Sequence, residues 1–184
     1  AEYAQYAPIG GIPEFKEVVK KDLFRDFIPK TYTEAVATPG GTGAIRNTIS
    51  NYSEYGDYVL TSDWYWAPYN TIAQEQGRKL DTFELFSESG SFNMESFSEK
   101  VKKLLENQER LIIILNTPSH NPTGYALTDE EWLRVSEILN RESSGKKITL
   151  LVDAAYADFA GDEGDSRSFF PILEKLDENV LVII

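Results

Sequence analysis

Ile148-Thr149-Leu150-Leu151-Val152-Asp153-Ala154-Ala155-Tyr156 is the stretch that decides how this chain folds. A short, nearly continuous apolar run reads as a strand buried on both faces, the usual state of a strand in a parallel sheet. The run ends abruptly in a carboxylate, Asp153, with a tyrosine three residues on. Ligands of open α/β sheets bind in the crevice outside the carboxyl ends of the strands. Asp153 therefore stands where an ionised carboxylate could meet a ligand. A helix cap or an ion pair would also account for a lone aspartate. Desolvation makes an unpaired carboxylate at such a place expensive, which tips the reading towards function.

Outward from this strand, helices and strands alternate. Pro13 opens a helix predicted to run to about Phe27, with Phe15, Val18, Val19, Leu23 and Phe27 on one face. Glu34 to Thr38 is a short strand candidate, followed by Pro39-Gly40-Gly41-Thr42-Gly43 and a helix from Ala44. Asp57 to Thr61 is the next strand, and Trp64-Tyr65-Trp66 and Tyr69 crowd just past its end. A helix from about Tyr69 to Gln76 stops at Gly77. Leu80 to Phe86 alternates as a strand does. Asn93 to Glu106 is amphipathic, with Met94, Phe97, Val101, Leu104 and Leu105 inward. Leu111 to Leu115 is a second fully apolar strand, leading into Asn116-Thr117-Pro118-Ser119-His120-Asn121-Pro122-Thr123-Gly124. Thr128 and Glu131 form a capping box for a helix reaching about Arg141. After the central strand come an acidic loop at Gly161 to Asp165, a short helix at about Phe169 to Leu176, and a strand from about Val180. This alternation predicts an α/β fold of three layers, α/β/α, around a mostly parallel sheet.

Composition narrows the chemistry. The chain has 184 residues, enough for one sizeable domain with a real core. Its formal net charge of -12 argues against nucleic-acid or anionic-membrane binding, which need basic patches. Any anionic ligand must then be held by backbone amides and local geometry. There is no cysteine, and a single histidine rules out a His-rich metal site. No apolar run approaches the ~20 residues of a membrane span, and no signal peptide is visible. A cytoplasmic enzyme domain is the default expectation. The chain opens at Ala1 without an initiator methionine and closes inside Val180-Leu181-Val182-Ile183-Ile184, a buried-strand pattern. A piece of a longer protein is expected.

Each motif has an ordinary reading when taken alone. Gly40-Gly41-Thr42-Gly43 can be a tight turn, or can offer amides to a phosphate at the following helix N-terminus. It matches neither the dinucleotide spacing nor a P-loop. Asn121-Pro122-Thr123-Gly124 can be a plain turn, Trp66 a core aromatic and His120 a hydrogen-bonded structural residue. Their order is more specific than any one of them: glycine-Thr loop, Trp, Asn-Pro-Thr-Gly, Asp-x-x-Tyr, each past the end of a successive strand.

That order resembles the large domain of the fold-type I pyridoxal-phosphate aminotransferases of class I/II, nearest the aspartate and aromatic amino-acid branch. The resemblance is carried by Tyr6-Ala7-Pro8-Ile9-Gly10-Gly11-Ile12-Pro13-Glu14-Phe15, Thr38 to Arg46, Trp66, His120 to Gly124 and Asp153-Ala154-Ala155-Tyr156, which span nearly the whole chain. It implies the aspartate aminotransferase-like fold with pyridoxal 5'-phosphate as cofactor, an amino acid and a 2-oxo acid as substrates, and a homodimer. It also implies roles. Asp153 would accept a hydrogen bond from the protonated pyridine nitrogen, an electron sink that a carboxylate keeps cationic. Asn121 and Tyr156 would bond the ring's phenolic oxygen, and Trp66 would stack on the ring. Gly41 and Thr42 would hold the phosphate, with Tyr6 reaching a partner subunit's phosphate. Asn121 would also touch the substrate carboxylate through an arginine.

The resemblance further implies a catalytic lysine in a Ser-x-x-Lys loop just beyond Ile184. Residues 1–184 are therefore expected to be part of the large, cofactor-binding domain, without the small domain and without catalytic activity of their own. Lys146 and Lys147 precede the central strand, on the wrong edge, and Lys175 falls on a surface helix. Other chemistries on the same cofactor and fold (lyase, aldolase or synthase), and a non-catalytic binding module, remain the alternatives.

Overall fold

The structure is a computed structural model that describes residues 6–160 and 167–184. The acidic loop expected at Gly161 to Asp165 lies outside them. Among the described residues, six α-helices and five strands follow in the order α1 (Pro13–Phe24), α2 (Gly40–Tyr52), β1 (Tyr58–Ser62), α3 (Pro68–Glu75), β2 (Lys79–Phe83), α4 (Met94–Leu105), β3 (Arg110–Asn116), α5 (Asp129–Glu142), β4 (Lys147–Asp153), α6 (Phe170–Leu173) and β5 (Val180–Ile183). A 3-10 turn, Ala157–Phe159, sits between β4 and α6.

The strands pair in the order β2-β1-β3-β4-β5, and every pairing is parallel. Alternation along the central strands sends successive side chains to opposite faces. Leu60, Leu111, Ile113, Leu115, Ile148, Leu150 and Val152 join the aromatic and aliphatic faces of α4, α5 and α6 in one core. Val59, Ile112, Ile114 and Leu151 meet Ile45 and Ile49 of α2 and Tyr69, Ile72 and Ala73 of α3 in the other. Helices therefore cover both faces, and the three-layer α/β/α arrangement stands. Each large side chain fully buried in these cores contributes about 1.5–3 kcal/mol.

The apolar run 111–114 is entirely inaccessible because β3 lies mid-sheet with both faces covered. β3 and β4 pair over seven residues, from Arg110 opposite Lys147 to Asn116 opposite Asp153. Thus the two polar residues that end these strands stand side by side at the carboxyl edge.

Three local expectations change. α1 stops at Phe24, where Arg25 takes a positive φ of 49°. Only its end and the following turn reach the core: Phe24 and Phe27 pack on Phe170 at 5.1 and 5.7 Å, while Phe15 and Val18 stay exposed. Residues 34–38 form no strand; the Ala37 N–H bonds the Gly10 carbonyl in a loop contact instead of joining the sheet. The glycine stretch is not a loop before a helix but the helix's own first turn, since α2 begins at Gly40. Gly43 is required there, because a Cβ at that position would lie 2.6 Å from Cδ of Pro39.

The capping box forms as read. The Thr128 side chain accepts from the Glu131 N–H, and the Glu131 carboxylate accepts from the Thr128 N–H. Glu131 also takes the Tyr125 hydroxyl at 2.6 Å and the Phe92 N–H at 2.9 Å, tying α5 to the turn before α4. Thr128→Ala should lower the unfolding free energy by about 1 kcal/mol, the usual worth of such a cap. Urea denaturation should show a lower midpoint with an unchanged slope.

Candidate active site at the carboxyl edge

Asp153 closes β4 and is only half-buried. Its backbone carbonyl accepts from Asn116 Nδ2 at 2.8 Å and from the Thr117 N–H at 3.1 Å. Its carboxylate accepts a short hydrogen bond from the Tyr69 hydroxyl at Oδ2 and a long one of 3.3 Å from the Ala155 N–H at Oδ1. Tyr69 is completely buried on α3. Burial first, and then the neighbouring Asp153 charge and the hydrogen bond to it, raise its phenol far above the ordinary tyrosine range. Tyr69 is therefore a permanent donor. Tyr156 lies near enough to Tyr69 to reinforce that shift, and is itself exposed.

The loop after β3 is fastened to this edge from two sides. Asn116 is buried, and its Oδ1 accepts from the Asn121 N–H at 2.6 Å while its Nδ2 holds the Asp153 carbonyl. One amide side chain thus fixes Asn121 relative to Asp153. On the other side, buried His120 places Nδ1 2.8 Å from Thr123 Oγ1 and Nε2 3.5 Å from Ser62 Oγ, at the end of β1. The Gly124 N–H returns to the His120 carbonyl at 2.6 Å, which needs the positive φ of 75° at Gly124. The Asn-Pro-Thr-Gly motif is consequently a built loop, spanning the ends of β1 and β3.

Trp66 follows β1 and packs edge-on to Tyr69, with ring centroids 5.6 Å apart. It is partly buried against the same core as α2 and α3. Gly41 and Thr42 lie exposed in the first turn of α2. The Gly40 and Gly43 N–H groups bond the carbonyls of Thr38 and Pro39. Those of Gly41 and Thr42 have no acceptor among the described residues, and a Cβ at Gly41 would meet nothing within 4 Å. The turn is thus open, with two amides unspent. Tyr6 is fully exposed and, among the described residues, has no hydrogen bond or ring contact with another site residue.

The structure therefore links Asp153, Asn121 and Trp66 through two residues that sequence reading passed over, Asn116 and Tyr69. Asn116 carries the same signal as Asp153, a polar residue ending a buried apolar strand. Tyr69 belongs to an aromatic run in which the sequence points to a role for Trp66 alone. A hollow of 310 Å³ lies elsewhere, lined in part by Thr117, Leu127, Trp132 and Phe169, and none of the expected cofactor residues lines it.

The parallel three-layer α/β sheet thus carries a carboxylate, an asparagine-bearing loop and an indole past its strand ends, the edge at which ligands of open α/β sheets bind, and α2 offers an open first turn. The profile of the family "Aminotransferase class I and II" matches residues 1–184, and the chain belongs to that family. It is 27% identical over 168 residues to the cytoplasmic aspartate aminotransferase of Schizosaccharomyces pombe, covering 86% of this chain and 39% of that protein. It is 27% identical over 177 residues to the aromatic-amino-acid aminotransferase of Paracoccus denitrificans, covering 94% of this chain and 43% of that protein. A crystal structure of an aminotransferase from Anaerococcus prevotii superposes with a TM-score of 0.94 at 42% identity, covering 97% of this chain and 44% of that one. The chain thus spans well under half the length of these relatives.

His120 makes a pH prediction. Burial disfavours the imidazolium and lowers its pKa, and the hydrogen bond with the Trp64 backbone and the Asp63 charge oppose this without cancelling it. The unfolded chain then binds a proton at higher pH than the folded one, so stability is full above the ordinary histidine range and falls as pH drops through it. His120 is the sequence's sole histidine. Urea unfolding at about pH 7.5 and about pH 5.5 should show the wild type losing stability and His120→Gln losing much less.

Proposed function

We propose that this chain is part of the large, cofactor-binding domain of an aminotransferase that moves an amino group between an amino acid and a 2-oxo acid using pyridoxal 5'-phosphate. The observation that carries the reading is Asp153 at the end of β4: its carboxylate accepts from the Tyr69 hydroxyl, its backbone carbonyl accepts from Asn116 Nδ2, and the Tyr69 ring packs on Trp66. The donor set fits the cofactor's three parts. A carboxylate suits a cationic ring nitrogen, an indole suits a flat ring, and the free amides of Gly41 and Thr42 suit a phosphate.

When bound, the cofactor supplies an electron sink for the carbanion left by loss of the substrate Cα proton. Asp153 keeps the ring nitrogen protonated. Asn121 and Tyr156 donate to the ring's phenolic oxygen, Asn121 from a loop whose position Asn116 and His120 fix. Trp66 would stack on one face of the ring. Gly41, Thr42 and the Thr42 hydroxyl anchor the phosphate, with the positive end of α2 behind them.

The covalent lysine is proposed to lie outside these 184 residues. Lys79 and Lys147 begin β2 and β4, at the amino edge of the sheet, and Lys146 pairs with Glu109 there. Lys175 follows α6. The small domain is likewise proposed to be supplied elsewhere in the protein. The exposed Tyr6 is the proposed contribution to a partner's site in a homodimer. Described residues include no helix long and apolar enough to cross a membrane. The cytoplasmic aspartate aminotransferases among its relatives support a cytoplasmic location.

The full-length protein, given pyridoxal 5'-phosphate, an amino acid and a 2-oxo acid, should exchange amino groups between them. The 184-residue chain alone should not. Asp153→Ala should lower kcat in the full-length protein by on the order of 10² or more, as removal of a preorganised charge does. Pyruvate and ammonia or an aldehyde as products, in place of exchanged amino and oxo acids, would point to lyase or aldolase chemistry on the same site.

A further inference from the structure

Tyr69 is the residue this site has and its motifs do not announce. It is fully buried, it comes from a different layer than Asp153, and its hydroxyl reaches across 84 positions of sequence to one carboxylate oxygen. Its ring also supports Trp66 edge-on at 5.6 Å. A buried phenol whose hydroxyl is directed at a buried-strand terminus is costly unless that bond is made. The bond is therefore a fixed feature of the folded state.

The two Asp153 oxygens are consequently unequal. Oδ2 is taken by a strong donor, whereas Oδ1 has only the long 3.3 Å contact from Ala155. We propose that Tyr69 is a positioning residue for the cofactor: its hydroxyl pins Asp153 through Oδ2, fixing the carboxylate plane and leaving Oδ1 as the acceptor for a cationic ring nitrogen. This rests on the pyridoxal 5'-phosphate reading above. It adds that recognition of the ring nitrogen depends on a second residue that does not touch the ring. The phenol is an uncharged donor that stays protonated over the whole working pH range, so the carboxylate is oriented without being neutralised. Tyr156, on the segment after β4, is the other titratable group that bears on this pair.

The test compares two ligands on the full-length apoprotein by calorimetry: pyridoxal 5'-phosphate, and its analogue with carbon in place of the ring nitrogen. Tyr69→Phe keeps the ring that packs on Trp66 and removes only the hydroxyl. It should weaken pyridoxal 5'-phosphate about tenfold, the worth of one charge-assisted hydrogen bond, and the carbon analogue less than about twofold by the same reasoning. Asp153→Ala should show the same selectivity, more strongly. Placing 3-fluorotyrosine at position 69 keeps the donor and should restore the discrimination, which covers the case where the phenylalanine variant folds poorly. Selective loss in Asp153→Ala with equal loss, or none, for both ligands in Tyr69→Phe would overturn the role of Tyr69. Loss of selectivity nowhere, not even in Asp153→Ala, would overturn the underlying cofactor reading as well.

Discussion

The in-register parallel pairing of β3 with β4 is the constraint on which everything else rests. Seven consecutive residue pairs bring Asn116 opposite Asp153. A one-residue slip would turn every side chain of one strand to the other face, exchanging Ile112 and Ile114 for Leu111, Ile113 and Leu115 against α2 and α3. Because both faces are packed by different helices, that slip is strongly disfavoured. The hydrophobic pattern therefore fixes the site: it sets which residue ends each strand and which neighbour it meets.

From that pairing a polar chain grows across the edge of the sheet. Asn116 joins Asp153 to the loop bearing Asn121, and His120 joins the same loop to the end of β1. Tyr69 joins Asp153 to α3, and through ring packing to Trp66. Among the described residues no buried side-chain polar atom is left without a partner. A network satisfied in this way holds its members in place in a medium where each hydrogen bond counts for more than in water. The residues proposed to meet the ligand are the ones with capacity to spare. Asp153 has Oδ1, Gly41 and Thr42 have their N–H groups, and Tyr156 is exposed.

Much of this was legible in the chain itself. The apolar runs 111–115 and 148–152 named the central strands, and Thr128 with Glu131 named the start of α5, because both signals are local and strong. Asp153 and Asn121 could be placed because strand ends and proline-glycine turns are visible in sequence. What escaped has physical causes. Tyr69 meets Asp153 only after two helices and three strands have been packed between them, and no local pattern encodes that meeting. Asn116 was hidden by the turn-rich loop that follows it. The segment 34–38 reads as a strand, but it pairs with no strand of the sheet. The glycines at 40–43 looked like a loop because glycine is a poor helix former. Pro39 sets the start of α2 and leaves room only for a glycine at position 43.

Identical edges can hold many flat ligands, so the central claim is that the Asp153 carboxylate meets a protonated pyridine nitrogen. Nitrogen-15 NMR of the full-length protein, loaded with pyridoxal 5'-phosphate labelled at the ring nitrogen, reads this directly. The expected result is a protonated nitrogen that persists at alkaline pH where the free cofactor has lost its proton, and that reverts to the free behaviour in Asp153→Ala. A ring nitrogen that titrates in the wild-type protein as it does in free solution would contradict it.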